Sequence, residues 1–177
     1  RSTRTTTLFP YTTLFRSRME MGLFYALSGA ALAVFLCGIG SSIGVGIAGD
    51  AANGVLSEDP EKFGNMLLLV ALPGTQGIYG FVAGFWASII KLNLLTGNVP
   101  QLTAGQGLQI MAACLPIAVS GLFSGINQGR VCAAGIGVAA KQPQASMKAL
   151  IYGALVETYA ILGLVITLFL LNGIKLQ

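Results

Sequence analysis

Four long apolar blocks, residues 22–55, 63–95, 108–140 and 149–171, leave this chain few choices of fold. Each meets or exceeds the ~20 residues that an α-helix needs to cross the hydrocarbon core of a bilayer. Three are longer than that minimum, so their helices tilt or project beyond the lipid. Charged residues make up 9% of the chain against 54% hydrophobic, whereas a soluble globular domain carries roughly a quarter charged residues. The expected fold class is an all-α membrane protein with four transmembrane helices, spanning about 22–55, 63–95, 105–140 and 147–172.

The four blocks are two copies of one unit. Sliding the chain on itself by 83 residues aligns Gly38 with Gly121, Ser41 with Ser124, Gly46 with Gly129 and Pro60 with Pro143. The match runs on into the following helix, where Ala71, Leu72, Thr75 and Gly80 meet Ala154, Leu155, Thr158 and Gly163. Each copy is a helical hairpin, residues 19–98 and 99–177. A hairpin crosses the membrane twice, so two tandem hairpins share one orientation. This is a parallel repeat, unlike the inverted repeats of many secondary transporters. The loops 57–62 and 141–147 hold the same place in the two copies and face the same side. Lys62, Arg130, Lys141 and Lys148 lie near them, against Lys91 and Lys175 at the other end, a bias that predicts these loops to be cytoplasmic.

The formal charge of +4 carries no information about partners, because Arg1, Arg4, Arg16 and Arg18 supply all of it and the remaining six basic and six acidic residues cancel. A nucleic-acid partner is not expected. Residues 1–18 repeat "TTLF", are rich in Thr and lack the apolar core of a signal peptide. They read as an adapter-derived or vector-derived tail, with the native start expected at Met19 or Met21. Cys37, Cys114 and Cys132 sit in apolar segments without ligand spacing, and the chain has no His, which disfavours disulfide, zinc and His-dependent catalytic chemistry. The three cysteines are expected to pack as small apolar residues.

Residues 44–49, "GVGIAG", match the GxGxxG fingerprint of dinucleotide-binding folds letter for letter. Neither a preceding strand nor a βαβ unit accompanies it, so no bound nucleotide is expected. Packing explains the glycines better. Small residues recur every four positions along two stripes, Gly38, Ser42, Gly46 and Gly40, Gly44, Ala48, and again at Gly121, Gly125, Gly129. Such stripes let helix backbones approach closely in lipid. Two glycine-lined helices, one per hairpin, suit the crowded inner wall of a homo-oligomeric ring, with dimerisation through a small-residue face as the simpler alternative.

Inside the last block stands a carboxylate, Glu157, 14 residues after Pro143; the equivalent position of the first copy is Gly74. A charge at such a depth costs several kcal/mol. Thr75 and Gln76 follow Pro60 by 15 and 16 residues, and Gln128 precedes Pro143 by 15. At about 1.5 Å rise per residue all four polar groups lie roughly 20 Å from the loop prolines. Leu72, Thr75, Gln76 and Tyr79 follow i, i+3, i+4, i+7 spacing and share a helix face. Taken singly, each polar residue suits an interhelical hydrogen bond. As a set around a carboxylate they suggest an ion site. A proton needs the carboxylate and one hydrogen bond; sodium, a hard cation, needs several oxygens, which Glu157, Thr75, Gln76 and Gln128 supply. Pro73 removes a backbone donor and leaves the Leu69 carbonyl without its usual partner; which carbonyl faces an ion is not fixed by the residues.

"LPGTQGIYGF" (residues 72–81), "GLFSGINQGR" (121–130) and "ALVETYAILG" (154–163) together closely resemble the proteolipid, or K subunit, of bacterial V-type ATPases, especially the sodium-translocating kind. The resemblance covers nearly everything after residue 18. It implies a rotor ring of identical subunits in the plasma membrane, turned against a static membrane subunit bearing an arginine and coupled through a central stalk to ATP hydrolysis in a soluble head. The chain itself would have no catalytic site. Carried over residue by residue, the Na+ ligands would be Glu157, Thr75, Gln76, Gln128 and the Leu72 carbonyl, with Tyr79 hydrogen-bonded to the carboxylate. Arg130 would be a snorkelling anchor near the cytoplasmic end of the third helix. Proton translocation by the same family is the alternative, and a small four-helix proton-coupled transporter is a more distant one.

Overall fold

The structure, a computed structural model, describes the backbone of residues 9–176 and the side chains of residues 21–176. The assignment of residues 1–18 as non-native falls largely outside that range. Among the described residues the chain is helical with no strand. The first helix is Phe9–Glu58, of which Met21–Glu58 is long and apolar enough to cross a membrane. The second spans Pro60–Lys91, the third Ala104–Lys141 and the fourth Pro143–Gly173, each also of membrane-crossing length and hydropathy.

Glycines are scattered along the whole of the first and third helices, and in water each would cost roughly 1 kcal/mol of helix propensity relative to Ala. Lipid reverses the balance, since a backbone there must satisfy its polar groups within its own segment. The helices end where polar caps take over. Asp59 accepts from the Glu61 N–H at 3.3 Å ahead of Pro60. Thr103 and Gln106 form a reciprocal capping box at the start of the third helix. The second helix stops at Lys91, short of the 63–95 read from hydropathy, because Asn93 turns into the left-handed region at φ 51° and Gly97 follows at φ 73°.

The second helix is not uniform. Pro73 lies in a 3-10 turn, Leu72–Gly74, between α segments Phe63–Ala71 and Thr75–Phe85, and a π-helical turn, Trp86–Lys91, closes it. Four residues past Pro73 the backbone is tied to the first helix, the Gly77 N–H donating to Ser41 Oγ at 2.7 Å. Next to Pro116 inside the third helix, the Ile117 N–H donates to the buried Thr167 hydroxyl of the fourth helix at 3.2 Å.

The most extensive contact joins the first and third helices, which meet backbone to backbone. A Cβ placed on Gly125 would stand 2.6 Å from the Gly40 carbonyl carbon, and one on Gly40 would stand 2.7 Å from Leu122 Cα. The segment 44–49 lies wholly within the first helix, with Gly44 pressed on Gly125. Two apolar clusters flank the middle of the bundle. One, nearer the 92–103 connection, contains Ala30, Cys37, Ala83 and Cys114; the other, nearer the 57–62 and 141–147 loops, contains Ala48, Leu69, Cys132 and Ile136. All three cysteines are buried free thiols. Large apolar side chains such as Phe35, Phe81, Phe123 and Phe169 point outward.

Candidate functional site

Between the two apolar clusters the second, third and fourth helices bring their polar residues to one level. Gln76 and Gln128 are fully buried, while Thr75, Tyr79 and Glu157 are half-buried. Gln76 is hydrogen-bonded to Gln128, Tyr79 to Glu157, and Thr75 to the Leu72 carbonyl of its own helix.

The two glutamines have their amide groups fixed. Gln128 Nε2 donates to the Gly153 carbonyl of the fourth helix at 3.0 Å, which turns Oε1 towards the second helix. Gln76 Nε2 donates to that Oε1 at 2.5 Å and to Ser124 Oγ at 3.1 Å. Ser124 directs its own proton to the Val156 carbonyl at 2.9 Å. With every donor directed, Gln76 Oε1 is left buried and without a partner. A buried acceptor with no donor costs about 1–3 kcal/mol, and it marks a place suited to a positive charge.

Glu157 is held from the second helix. The Tyr79 hydroxyl donates to its Oε1 at 2.5 Å. Thr75 Oγ1 donates to the Leu72 carbonyl at 3.0 Å, so its proton points back along the helix and its lone pairs point away. The Leu72 carbonyl also accepts the Thr75 backbone N–H across the 3-10 turn. That turn is the consequence of Pro73: it tightens the backbone by one residue and gathers the Leu72 oxygen, Thr75 and Gln76 within a single turn.

Ser124 and Ser41 also build the site, although neither lies at the level of the carboxylate. Both stand four residues deeper from the loops than Gln128. A signal was present: the serines occupy equivalent places in the repeat, and Ser124 shares a helix face with Gln128 four residues on. Arg130 stands apart from the cluster, exposed, with a guanidinium N–H donating to Asn127 Oδ1 at 3.3 Å. Among the described residues no group of three or more His, Cys, Asp or Glu could hold a metal. The oxygens at this level come instead from one carboxylate, neutral amides, a hydroxyl and a carbonyl, a hard donor set without the thiolate or imidazole ligands that transition metals favour.

Comparison with known proteins meets this geometry from another direction. A family model for the C subunit of ATP synthase matches the chain twice, over residues 28–87 and 111–170, the two matches offset by the same 83 residues as the repeat. The V-type sodium ATPase subunit K of Enterococcus hirae is 50% identical over 149 residues, covering 84% of this chain and 91% of that protein. The A-type ATP synthase subunit K of Methanocaldococcus jannaschii is 40% identical over 146 residues, 82% of this chain and 61% of that protein. The 16 kDa proteolipid of the V-type proton ATPase of Nephrops norvegicus is 29% identical over 147 residues, 83% of this chain and 89% of that protein.

Proposed function

Since the chain belongs to the family of ATP synthase C subunits and is a non-catalytic proteolipid of a V-type ATPase membrane ring, we propose that it is the sodium carrier of that ring. Na+ is its cargo, held by Glu157, Thr75, Gln76, Gln128 and the Leu72 carbonyl, with Tyr79 steadying the carboxylate. The observation that carries this reading is the buried, unpartnered Oε1 of Gln76, an oxygen that a bound proton on Glu157 would leave unsatisfied and a cation would engage. The 50% identity to a sodium ATPase subunit supports the same ion.

Each group has a part. The Glu157 carboxylate supplies the neutralising charge, which in lipid cannot stay ionised and alone. The two amides supply oxygens whose direction is set by their donors, through Gly153 and Ser124. Tyr79 engages one carboxylate oxygen and leaves the other for the ion. The ion is bound while the site faces lipid, and is released where rotation brings Glu157 to an arginine of the static membrane subunit, which competes for the carboxylate. A central stalk joins the ring to the ATP-hydrolysing head. The ring lies in a bacterial plasma membrane with loops 57–62 and 141–147 on the cytoplasmic side.

Carbodiimide attacks protonated carboxylates, so Na+ at this site should protect Glu157. Labelling of the purified ring is expected to fall as NaCl replaces KCl at constant ionic strength. Equal labelling in both salts would transfer the assignment to a proton held by Glu157 and Tyr79 alone.

A further inference from the structure

The hydrogen bonds around the carboxylate fall into two halves that share no bond. The outer half is Tyr79 with Glu157, both half-buried. The inner half is Gln76, Gln128 and Ser124, all buried. Its protons run one way: from Gln76 to Gln128 and Ser124, from Gln128 to the Gly153 carbonyl, and from Ser124 to the Val156 carbonyl. A proton on Glu157 needs the outer half alone. A sodium ion bridges the two, because the free Oε1 of Gln76 stands at the head of the inner half.

Ser124 is the one member of the inner half that is not a proposed ligand. Serines within helices commonly turn the hydroxyl back to a carbonyl three or four residues earlier, and Ser28, Ser42, Ser57, Ser120 and Ser146 do so. Ser124 reaches across to the fourth helix instead, at 2.9 Å, and its acceptor is the peptide carbonyl joined to the Glu157 nitrogen. The equivalent serine of the first hairpin, Ser41, accepts a backbone N–H, that of Gly77. Ser124 accepts from the side-chain amide of Gln76 at 3.1 Å. One hydroxyl thus links the residue before the carboxylate to an amide of the ion site.

We propose that Ser124 is a positioning residue of the cation site, holding the Gln76 amide with its oxygen towards the ion and so setting sodium affinity without touching the ion or the carboxylate. This rests on the sodium reading above. The last torsion of a glutamine is broad and soft, so the direction of the amide is fixed by what its ends bond to. Its two N–H groups are both taken, one by Gln128 Oε1 and one by Ser124 Oγ. Turned over, the amide would set Oε1 against the Gln128 oxygen and against a hydroxyl whose proton is committed to Val156. Acceptor would face acceptor, and the cation would meet an N–H. Removing the Ser124 hydroxyl takes away one of the two bonds that oppose this rotation. It also strands a buried N–H, which displacement of the amide would relieve.

The test is Ser124→Ala in the full chain, assembled and purified as the ring. Carbodiimide labelling of Glu157 is read in two ways: the rate in KCl without sodium, and the NaCl concentration that halves it at constant pH and ionic strength. Loss of the hydroxyl is expected to raise the half-protecting concentration about 10-fold, the scale of one buried hydrogen bond. The sodium-free rate should stay level, since Tyr79 still holds the carboxylate. Ser124→Thr keeps the hydroxyl and should return protection towards that of the unsubstituted ring. Ser124→Cys, with a weaker donor and acceptor in a similar volume, should fall between alanine and serine, and it serves if the extra methyl of threonine prevents assembly. An unchanged half-protecting concentration in Ser124→Ala, or a sodium-free rate that moves with it, overturns the role of Ser124 and leaves the sodium reading in place. An unsubstituted ring labelled equally in NaCl and KCl overturns the sodium reading itself.

Discussion

The two hairpins keep the same framework and differ at the level of the carboxylate. Where the second hairpin has Glu157 the first has Gly74, and where the third helix has Gln128 the first helix has Val45. In the first copy these substitutes stand close together, since a Cβ on Gly74 would be 3.7 Å from Val45 Cγ2. The serines are retained in both copies with altered duties. Ser41 accepts the Gly77 N–H of the second helix, while Ser124 bridges Gln76 to the Val156 carbonyl. The two copies thus share the serines that hold backbones and differ in the carboxylate and the amide at its level. On the second helix Leu72 and Thr75 are kept as Leu155 and Thr158, whereas Gln76 and Tyr79 correspond to Tyr159 and Leu162, so the equivalent position of the other copy lacks both the carboxylate and the amides.

If that contrast is right, substitutions at paired positions should differ sharply. Glu157→Gln is expected to abolish ATP-driven ion transport in reconstituted vesicles while rings still assemble; assembled rings that keep transporting would break the comparison outright. Gln76→Leu removes one proposed oxygen ligand and leaves Gln128 Oε1 and Ser124 Oγ without their Gln76 donor. It should weaken Na+ protection against carbodiimide by about 10–100-fold, the equivalent of roughly 1.4–2.8 kcal/mol. Gly44→Ala places a Cβ 2.9 Å from Pro73 Cβ and hard against the Gly125 carbonyl, and overpacking of that kind costs about 1–3 kcal/mol, to be read as a lower midpoint of thermal unfolding in detergent. Tyr79→Phe loses one hydrogen bond to the carboxylate, and Na+ protection should shift by about 10-fold, or ~1.4 kcal/mol. Gly74→Ala should be the mildest. Its φ of −78° is helical and the added methyl meets Val45 at ordinary distance, so stability should stay level or rise by up to about 1 kcal/mol. A large loss there would mean that the first copy's position is more than packing.

Much of this was legible in the chain itself. Four membrane-length helices follow from apolar runs that no soluble fold needs, and the site follows from a rigid ruler, the constant rise of a helix measured from two equivalent prolines. Gln76 and Gln128, which the ruler puts at one depth, are hydrogen-bonded to each other, and Glu157 is reached by Tyr79 from one turn farther along the second helix. What the sequence left open depends on rotation about helix axes and on the direction of hydrogen bonds. The stripes through Gly38 and Gly40 are two residues apart and point to opposite sides of one helix, and only the packed bundle decides which turns inward. Ser124 is four residues off the carboxylate's level and enters the site because its hydroxyl reaches up to Gln76 and across to Val156. The end of the second helix at Lys91 depends on a left-handed Asn93, which hydropathy does not sense.

The backbone contact along Gly40, Gly44, Gly125 and Gly129 has a mechanical meaning as well. Side chains between two helices act as compliant spacers, with rotamers to exchange when load is applied; glycine on glycine has none. A push delivered to the first helix therefore reaches the third with little slack, and the two hairpins deform as a single stiff beam. Flexure is displaced to the contacts where side chains intervene between helices, such as those of Leu69 and Ile136, rather than to the glycine seam.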